Sequence, residues 1–399
     1  MSDQAPRTVK DLLVWSKDTA ELQVDIAYAA VFFNDAKLAS EVDILEEEMD
    51  GYIHSLRRIC MLAARSPEDA EAMSGVLHMA ANIEKIGDAA VDIARVVTSH
   101  LGIPDALRAD LRHADEVAGR VRVREGSVVV GRQLGELQLP TETGMWVIAV
   151  RRGTEWEFDP GATTVLSPDD VLVFRGPEDG IALIHTICGA PQPGGSDTAA
   201  DLPPLNDLDR AVDILVEMKN AAEVAVGLAY SALLFGEPAL AAEVATLESR
   251  SDELQNELES WVLRAAQDWP RPDELRGLIR LGVASEAIFD AARDMTRLIE
   301  QGAELHPVVA DALEASDAVS TEAIVAEGSD TDGRTLRDLR FKTETGMLVL
   351  AVQRDRRWIY RPGSRFVLRA GDRLIAVGPE DGVEEVETLT STSAVGALP

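Results

Sequence analysis

The chain has 399 residues, enough for several domains of ordinary size, and 46% of them are hydrophobic, which excludes an intrinsically disordered protein. Its 70 Asp and Glu outnumber its 38 Lys and Arg, so the formal net charge is −32. Such a chain repels nucleic acid and anionic membranes at long range, and we expect no nucleic-acid partner. Acid excess with few lysines resembles the surfaces of proteins from high-salt cytoplasm.

The termini and the cysteines point to the cytoplasm. Residues 1–13 lack the charged and apolar pattern of a signal peptide, and no run approaches the roughly 20 apolar residues of a membrane helix. Cys60 and Cys188 have no cysteine partners in the repeat described below, which argues against a disulfide framework. We expect a cytoplasmic protein that reaches a membrane only through a partner, with peripheral binding at its inner face left open.

The chain is a duplication. The sequence Thr-Glu-Thr-Gly-Met at 141–145 returns at 343–347, and this offset of 202 also aligns Trp156 with Trp358. The repeat is far longer than the 20–50 residues of solenoid units, so each copy contains one or two whole domains.

Helical spacing of apolar residues predicts three long helices in the first copy, over residues 9–33, 36–64 and from Pro67 to about Val97. Beyond Gly102-Ile103-Pro104 the apolar period changes toward two after a short helical piece, which favours strands over 145–151, 155–158 and 171–174. A final helix is predicted over 177–187. The second copy repeats this pattern, with helices near 208–235, 238–266 and 272–299, and the tail from Thr390 is expected to be frayed.

The predicted fold class is therefore α+β multidomain, with two three-helix bundles alternating with two small α+β domains. We place the bundles at residues 1–103 and 207–303, and the α+β domains at 104–188 and 304–391. A Pro- and Gly-rich linker is predicted over 189–206.

An acidic stripe runs along the third helix of each copy. Carboxylates spaced four residues apart lie on one side of a helix, where they repel one another unless a cation offsets the repulsion. Carboxylate oxygens from facing helices suit Mg, Mn or Fe, and the alternative is a solvated acidic face. The predicted metal ligands are Glu84, Asp88, Asp92, Glu286, Asp290 and Asp294.

The segment Ile83–Ala94, with Glu84 and Asp88 as its E-x-x-x-D motif, resembles the signature helix of PhoU proteins. That family regulates phosphate transport with helical bundles and binds metal clusters through such motifs. The resemblance implies a divalent or iron-type metal. In the second copy Phe289 stands where the first has Gly87, a departure from the pattern.

The α+β modules resemble the TrkA C-terminal domain, the ligand-sensing part of cytosolic gating subunits of potassium channels and transporters. The resemblance is carried by residues 131–137, 144–153, 160–161 and 170–179, and by their counterparts at 333–339 and 346–381. Some such domains bind a cyclic dinucleotide across a paired interface, but Trp146 and Leu348 replace the polar residue expected near that pocket. Several archaeal proteins combine these two domain types.

The two resemblances imply a regulatory subunit of an integral-membrane cation transporter or channel, potassium above all, that senses an unidentified small ligand or ion. PhoU-like regulation of phosphate uptake is the alternative. The two α+β modules are expected either to pair within one chain or to form a homodimer.

Enzymatic function is not expected. The sequence lacks a nucleophile elbow, a phosphate loop and a G-x-G-x-x-G fingerprint, so we predict neither catalysis nor an NAD or ATP cofactor. A metal-dependent enzyme that uses the carboxylates remains a different class of explanation.

Overall fold

The computed structural model describes residues 8–101, 117–153, 155–158, 160–191, 207–302, 305–355, 357–360 and 362–392. The chain divides into two compact units, one of Met1–Ala114 with Asp197–Ser316 and the other of Asp115–Ser196 with Asp317–Pro399. Each unit therefore combines the same kind of domain from both copies. Most of the predicted linker, the short helical piece after residue 104 and the tail beyond 392 lie outside the described residues.

The described α-helices are α1 Val9–Phe33, α2 Ala36–Ala63, α3 Pro67–Thr98, α4 Leu134–Leu137, α5 Leu139–Thr143, α6 Ile181–Ile187, α7 Asp207–Phe235, α8 Pro238–Asp268, α9 Arg276–Glu300, α10 Pro307–Leu313, α11 Phe341–Thr345 and α12 Asp381–Thr390. The described strands are β1 Val117–Arg122, β2 Trp146–Arg152, β3 Glu155–Phe158, β4 Val171–Gly176, β5 Ala318–Ile324, β6 Leu348–Arg354, β7 Arg357–Tyr360 and β8 Arg373–Pro379.

The helical unit contains two bundles, α1–α3 and α7–α9, which pack against each other through α3 and α9. Capping boxes at Thr8 and Ser66 begin α1 and α3, because each hydroxyl accepts a backbone N–H that would otherwise lack a partner. Helix α10 packs against α1 and α7 and belongs to this unit, whereas the sequence-based boundary at residue 304 assigned it to the second α+β domain.

Two predicted helices begin later than expected. Pro272–Leu275 forms a 3-10 turn before α9, where Arg271 offers no side-chain cap. Glu178–Gly180 forms a similar turn before α6. In both cases the first predicted turn exists but is wound more tightly than an α-helix.

The second unit contains two α+β lobes of one topology. Each has a four-stranded antiparallel sheet, with strand order β1-β4-β2-β3 in lobe one and β5-β8-β6-β7 in lobe two. Phe174 and Leu172 anchor the apolar core of lobe one, and Leu374 and Met347 that of lobe two. Strands β3 and β7 lie at the edges of their sheets.

Among the described residues, no helix combines the length and the apolar character needed to cross a bilayer.

Candidate functional site

Glu84 and Asp88 on α3 face carboxylates of α2. Burial raises the pKa of Glu84 and of Asp88, and the nearby charge of Asp50 raises both further. Burial, together with the charges of Asp88, Asp50 and Glu84, likewise raises the pKa of Glu46. Among the described residues, the cation in direct contact with these carboxylates is Arg57, whose Nη2 lies 2.5 Å from Glu84 Oε2. The first bundle thus holds four neighbouring carboxylates from two helices, and the pKa values of three of them, Glu84, Asp88 and Glu46, are raised.

A neutral side chain from α1 completes this first cluster. Gln23 is wholly buried and donates from Nε2 to Glu46 Oε2 at 2.8 Å, while its Oε1 has no hydrogen-bond partner in the described structure. A Cβ atom on Gly87 would lie 2.7 Å from that oxygen, so glycine leaves the room that Gln23 occupies. A buried amide oxygen without a donor is a suitable ligand for a hard cation.

The second bundle repeats the carboxylates but not the glutamine. Burial raises the pKa of Glu286, and the charges of Asp290 and Asp252 raise it further. Burial likewise raises the pKa of Asp290, together with the charges of Asp294 and Asp252. The positions equivalent to Gln23 and Gly87 are Ala225 and the fully buried Phe289. The second cluster therefore has no counterpart of the Gln23 side chain at the aligned position.

The remaining two predicted ligands lie elsewhere. Asp92 Oδ1 is 3.1 Å from Arg95 and 3.9 Å from Arg280 of the other bundle. Asp294 contacts Lys85 of the other bundle at 2.8 Å and Arg297 at 2.6 Å. Burial alone would raise the pKa of Asp294, but these cations bring it below its ordinary value.

The carboxylates of the predicted stripe therefore have two different kinds of surroundings. Its first two carboxylates in each copy join an acidic cluster, and its third joins ion pairs between the bundles. In the part of the chain that the structure describes, no three His, Cys, Asp or Glu side chains are arranged as a metal-binding group. The metal-ligand assignment stays a prediction.

Sequence reasoning missed the α2 half of each cluster. Glu46 and Asp50 have the same E-x-x-x-D spacing as Glu84 and Asp88, and the offset of 202 reproduces them as Glu248 and Asp252. That shared spacing was the available signal, whereas nothing local marks Gln23.

The second candidate site is the contact between the two lobes, where α5 packs against α11. A Cβ on Gly144 would lie 3.0 Å from the carbonyl oxygen of Lys342, and one on Gly346 would lie 2.7 Å from that of Pro140. Gln138 adds a hydrogen bond of 3.3 Å to Asp381. The two lobes thus pair within one chain through the two copies of the repeated five-residue motif.

Buried threonines fix the shape of this motif. Thr143 donates to the Leu139 carbonyl at 2.7 Å and accepts the backbone N–H of Met145 at 3.1 Å. Thr345 makes the equivalent bonds at 2.7 and 3.0 Å. Each short helix therefore ends at its glycine and passes directly into a core strand.

The arginines that end β2 do not form an open phosphate site. Arg152 donates to both oxygens of the buried Asp170, at 3.0 and 2.8 Å, and to the Val165 carbonyl. The Arg151 guanidinium lies 5.6 Å from the centre of the Trp156 ring. These groups hold the lobe together.

Comparison with known families agrees with this architecture. The PhoU domain matches residues 14–97, and the TrkA-C domain matches 119–189 and 321–391. The PhoU match falls in the helical unit, and the two TrkA-C matches fall in the two α+β lobes. The chain thus contains one matched PhoU domain and two matched TrkA-C domains. No curated protein matches the chain significantly.

Three solved structures illustrate the similarity. The RCK_C domain dimer of Streptococcus agalactiae BusR in complex with c-di-AMP is 30% identical over 18% of this chain and 93% of its own, with a TM-score of 0.17. PhoU from Pseudomonas aeruginosa is 16% identical over 74% and 96%, with a TM-score of 0.40. The GsuK channel bound to NAD is 14% identical over 80% and 65%, with a TM-score of 0.18.

Proposed function

We propose that the protein is a cytoplasmic regulatory subunit of a cation transporter or channel, with potassium as the transported ion. The observation that carries the proposal is the pairing of two TrkA-C lobes inside one chain through Gly144 and Gly346. One chain supplies both halves of a symmetric sensor, so no second copy is required to build it. The partner is an integral-membrane protein, and the regulator binds it at the inner face.

The lobe interface is the proposed sensing element. A ligand bound between the lobes changes their spacing only if it binds one arrangement better than the other. The RCK_C domain dimer of BusR is in complex with c-di-AMP. The resemblance leads us to expect a polar residue near that pocket where this chain has Trp146 and Leu348, so we propose that it responds to a different small molecule or ion.

Reconstitution tests the proposal. Potassium flux through candidate transporters in proteoliposomes is measured with and without the full-length protein, and then with Gly346→Ala, which disturbs the interface. A change in flux that the variant fails to produce supports the proposal. Equal flux with and without the wild-type protein, for every cation transporter tested, contradicts it.

A second candidate function is metal-dependent regulation of phosphate uptake. It is supported by the cluster of Glu46, Asp50, Glu84 and Asp88, in which burial raises the pKa of Glu46, Glu84 and Asp88, and by the Oε1 of Gln23, which has no partner among the described residues. A divalent cation would offset the mutual repulsion of these carboxylates. We propose Glu46, Asp50, Asp88 and Gln23 as its ligands, with Glu84 able to join them once its ion pair with Arg57 is broken.

Elemental analysis tests this second candidate. The protein is purified without an affinity tag or added metal, beside the double variants Glu84→Ala/Asp88→Ala and Glu286→Ala/Asp290→Ala. Bound Fe or Mn that falls in the first variant and persists in the second supports a site in the first bundle. Equal metal content in all three proteins contradicts it.

We propose no catalytic role. Hydrolysis of a phosphate ester by the wild-type protein that Glu84→Ala abolishes would overturn this part of the proposal.

A further inference from the structure

The two lobes differ sharply in charge. Residues 334–373 of lobe two contain 11 Lys and Arg against 4 Asp and Glu, a net charge of +7. The aligned residues 132–171 of lobe one contain 3 against 7, a net charge of −4. In a chain of net charge −32, this basic stretch is confined to one copy, so neither the fold nor the general acidity of the chain accounts for it.

The structure gathers five of these arginines around Val367. Arg365 and Arg369 flank it in sequence. Thr335 forms a β-bridge with Val367, which brings Arg334 and Arg337 alongside. Arg337 donates to Ser364 at 3.3 Å. We name this surface the arginine patch; it consists of Arg334, Arg337, Arg357, Arg365 and Arg369.

Arg357, the fifth arginine of the patch, is placed near the others through Arg354. It donates to the Val367 carbonyl at 2.7 Å, and its register partner across the β6–β7 hairpin is Arg357. Arg357 begins β7, which lies at the edge of its sheet, and the side chain of Arg357 is exposed to solvent.

The arginine patch is exposed and largely unpaired. All five of its arginines are exposed, as is Val367, at 37%. The side chains of Arg357, Arg365 and Arg369 make no hydrogen bond or ion pair with another described residue. The carboxylates in the same stretch are fewer: Asp338 and Asp355 are exposed, Glu344 pairs with Arg340, and Asp372 is buried against Arg354.

Lobe one has the same exposed valine without the charge. Val165 is 44% exposed, and the positions that correspond to the arginine patch are Arg132, Gly135, Glu155, Thr163 and Ser167. Arg132 lies 3.7 Å from Glu136. The aligned surface of lobe one therefore has no excess of positive charge.

We propose that the arginine patch docks on an anionic lipid surface. Guanidinium groups bind phosphate oxygens through two parallel hydrogen bonds, and an exposed apolar side chain among cations is typical of surfaces that lie in the headgroup region. Five charges spread over three chain segments fit an extended array of headgroups better than one small anion. The net charge of −32 is screened beyond about 8 Å at physiological ionic strength, so the local patch governs contact.

This docking extends the proposed function, since it fixes which lobe faces the membrane next to a transporter. Vesicles without any transporter test it separately, so its failure is distinguishable from failure of transport regulation.

The experiment is sedimentation of the full-length protein with phosphatidylcholine vesicles and with vesicles containing about one third phosphatidylglycerol. The test variant is Arg357→Gln/Arg365→Gln/Arg369→Gln. The matched control, Arg58→Gln/Arg124→Gln/Arg276→Gln, removes the same charge from exposed positions elsewhere. Circular dichroism melts check that the three proteins are equally folded.

The expected result is salt-sensitive binding to the anionic vesicles alone, reduced about tenfold or more in the test variant and retained in the control. Equal sedimentation with both vesicle types, or equal binding by the test variant and the wild type, overturns the proposal. Patch-dependent binding to polyglutamate or duplex DNA without binding to vesicles also overturns it, and makes an acidic macromolecule the partner.

Discussion

Gly346 of lobe two lies against Pro140 of lobe one, so close that a Cβ atom would stand 2.7 Å from the proline carbonyl oxygen. Gly144 has the same relationship with Lys342, and both glycines have positive φ, +71 and +70 degrees for Gly144 and Gly346. The glycine of each motif therefore lies against the residue directly before the other copy, and the interface requires glycine for two separate reasons.

Gly346→Ala should lower stability by about 2–4 kcal/mol, because left-handed backbone strain and a clash with Pro140 act together. Gly333→Ala separates the two causes, since Gly333 has a φ of +80 degrees but nothing within 4 Å of its Cβ position. It should cost only about 1–2 kcal/mol. Gly363→Ala, with open space and no positive φ, should be nearly neutral. Denaturant unfolding of the four proteins measures this, and equal losses for Gly346 and Gly333 would remove the interlobe contact from the explanation.

Two aligned tyrosines should respond oppositely to loss of their hydroxyls. Tyr28 hydrogen-bonds Ser285 of the other bundle at 3.0 Å, whereas the buried Tyr230 hydroxyl has no partner among the described residues, because Ile83 stands at the position equivalent to Ser285. Tyr28→Phe should destabilise by about 1 kcal/mol, and Tyr230→Phe should be neutral or stabilising. Thermal melts of the two variants give the comparison, and a larger loss for Tyr230→Phe would contradict it.

Arg354→Met should destabilise lobe two by about 2–4 kcal/mol. Its partner Asp372 is 1% exposed and would be left as a buried charge without its cation. The control is Arg357→Met, three residues along the hairpin, where the exposed side chain forms no ion pair with a described residue and the change should be within about 0.5 kcal/mol. Urea unfolding followed by tryptophan fluorescence is the measurement. Equal effects of the two substitutions would show that the Asp372 pair is unimportant.

Asp88→Asn should stabilise the protein at neutral pH. Burial and neighbouring carboxylates raise the pKa of Asp88 in the folded protein. Protonation of Asp88 therefore stabilises the folded state relative to the unfolded state. That contribution is fully present below the ordinary carboxyl pKa of about 4 and is lost as pH rises through the raised pKa. The variant should melt about 1–2 °C higher than wild type at pH 7.5 and at the same temperature near pH 3.5.

Glu47→Gln is the control for this pH experiment, because Glu47 is exposed on α2 next to Glu46 but is not among the charges that raise the pKa of Glu46, Glu84 or Asp88. It should show no comparable pH-dependent gain. A lower melting temperature for Asp88→Asn at pH 7.5 would mean that the ionised carboxylate stabilises the fold, which contradicts a raised pKa of Asp88.

Local features were predictable from the sequence because local chemistry determines them. The bounds of α1 at Val9–Phe33 and of β3 at Glu155–Phe158 agree with the predicted ranges, and the capping chemistry of Ser66 begins α3 where expected. Periodicity and capping act within a few residues, so a single sequence records them.

Contacts between the copies were not predictable in the same way. Asp294 was predicted as a metal ligand, yet Lys85, 209 residues away, pairs with it because α3 packs against α9. The regrouping of like domains into two units likewise depends on packing between distant segments. The α2 carboxylates Glu46 and Asp50 are a different case, since their spacing was visible in the sequence.

The measurement that tests the central claim most directly is intrachain cross-linking between Gln138→Cys and Asp381→Cys with a short bis-maleimide. The native Cys60 and Cys188 give little background, because both are buried and burial raises the pKa of Cys188 to about 12. If one chain pairs its own TrkA-C lobes, the double variant forms a cross-linked monomer at every protein concentration, and each single variant forms none. Cross-linked dimers that increase with concentration, without cross-linked monomer, would contradict it.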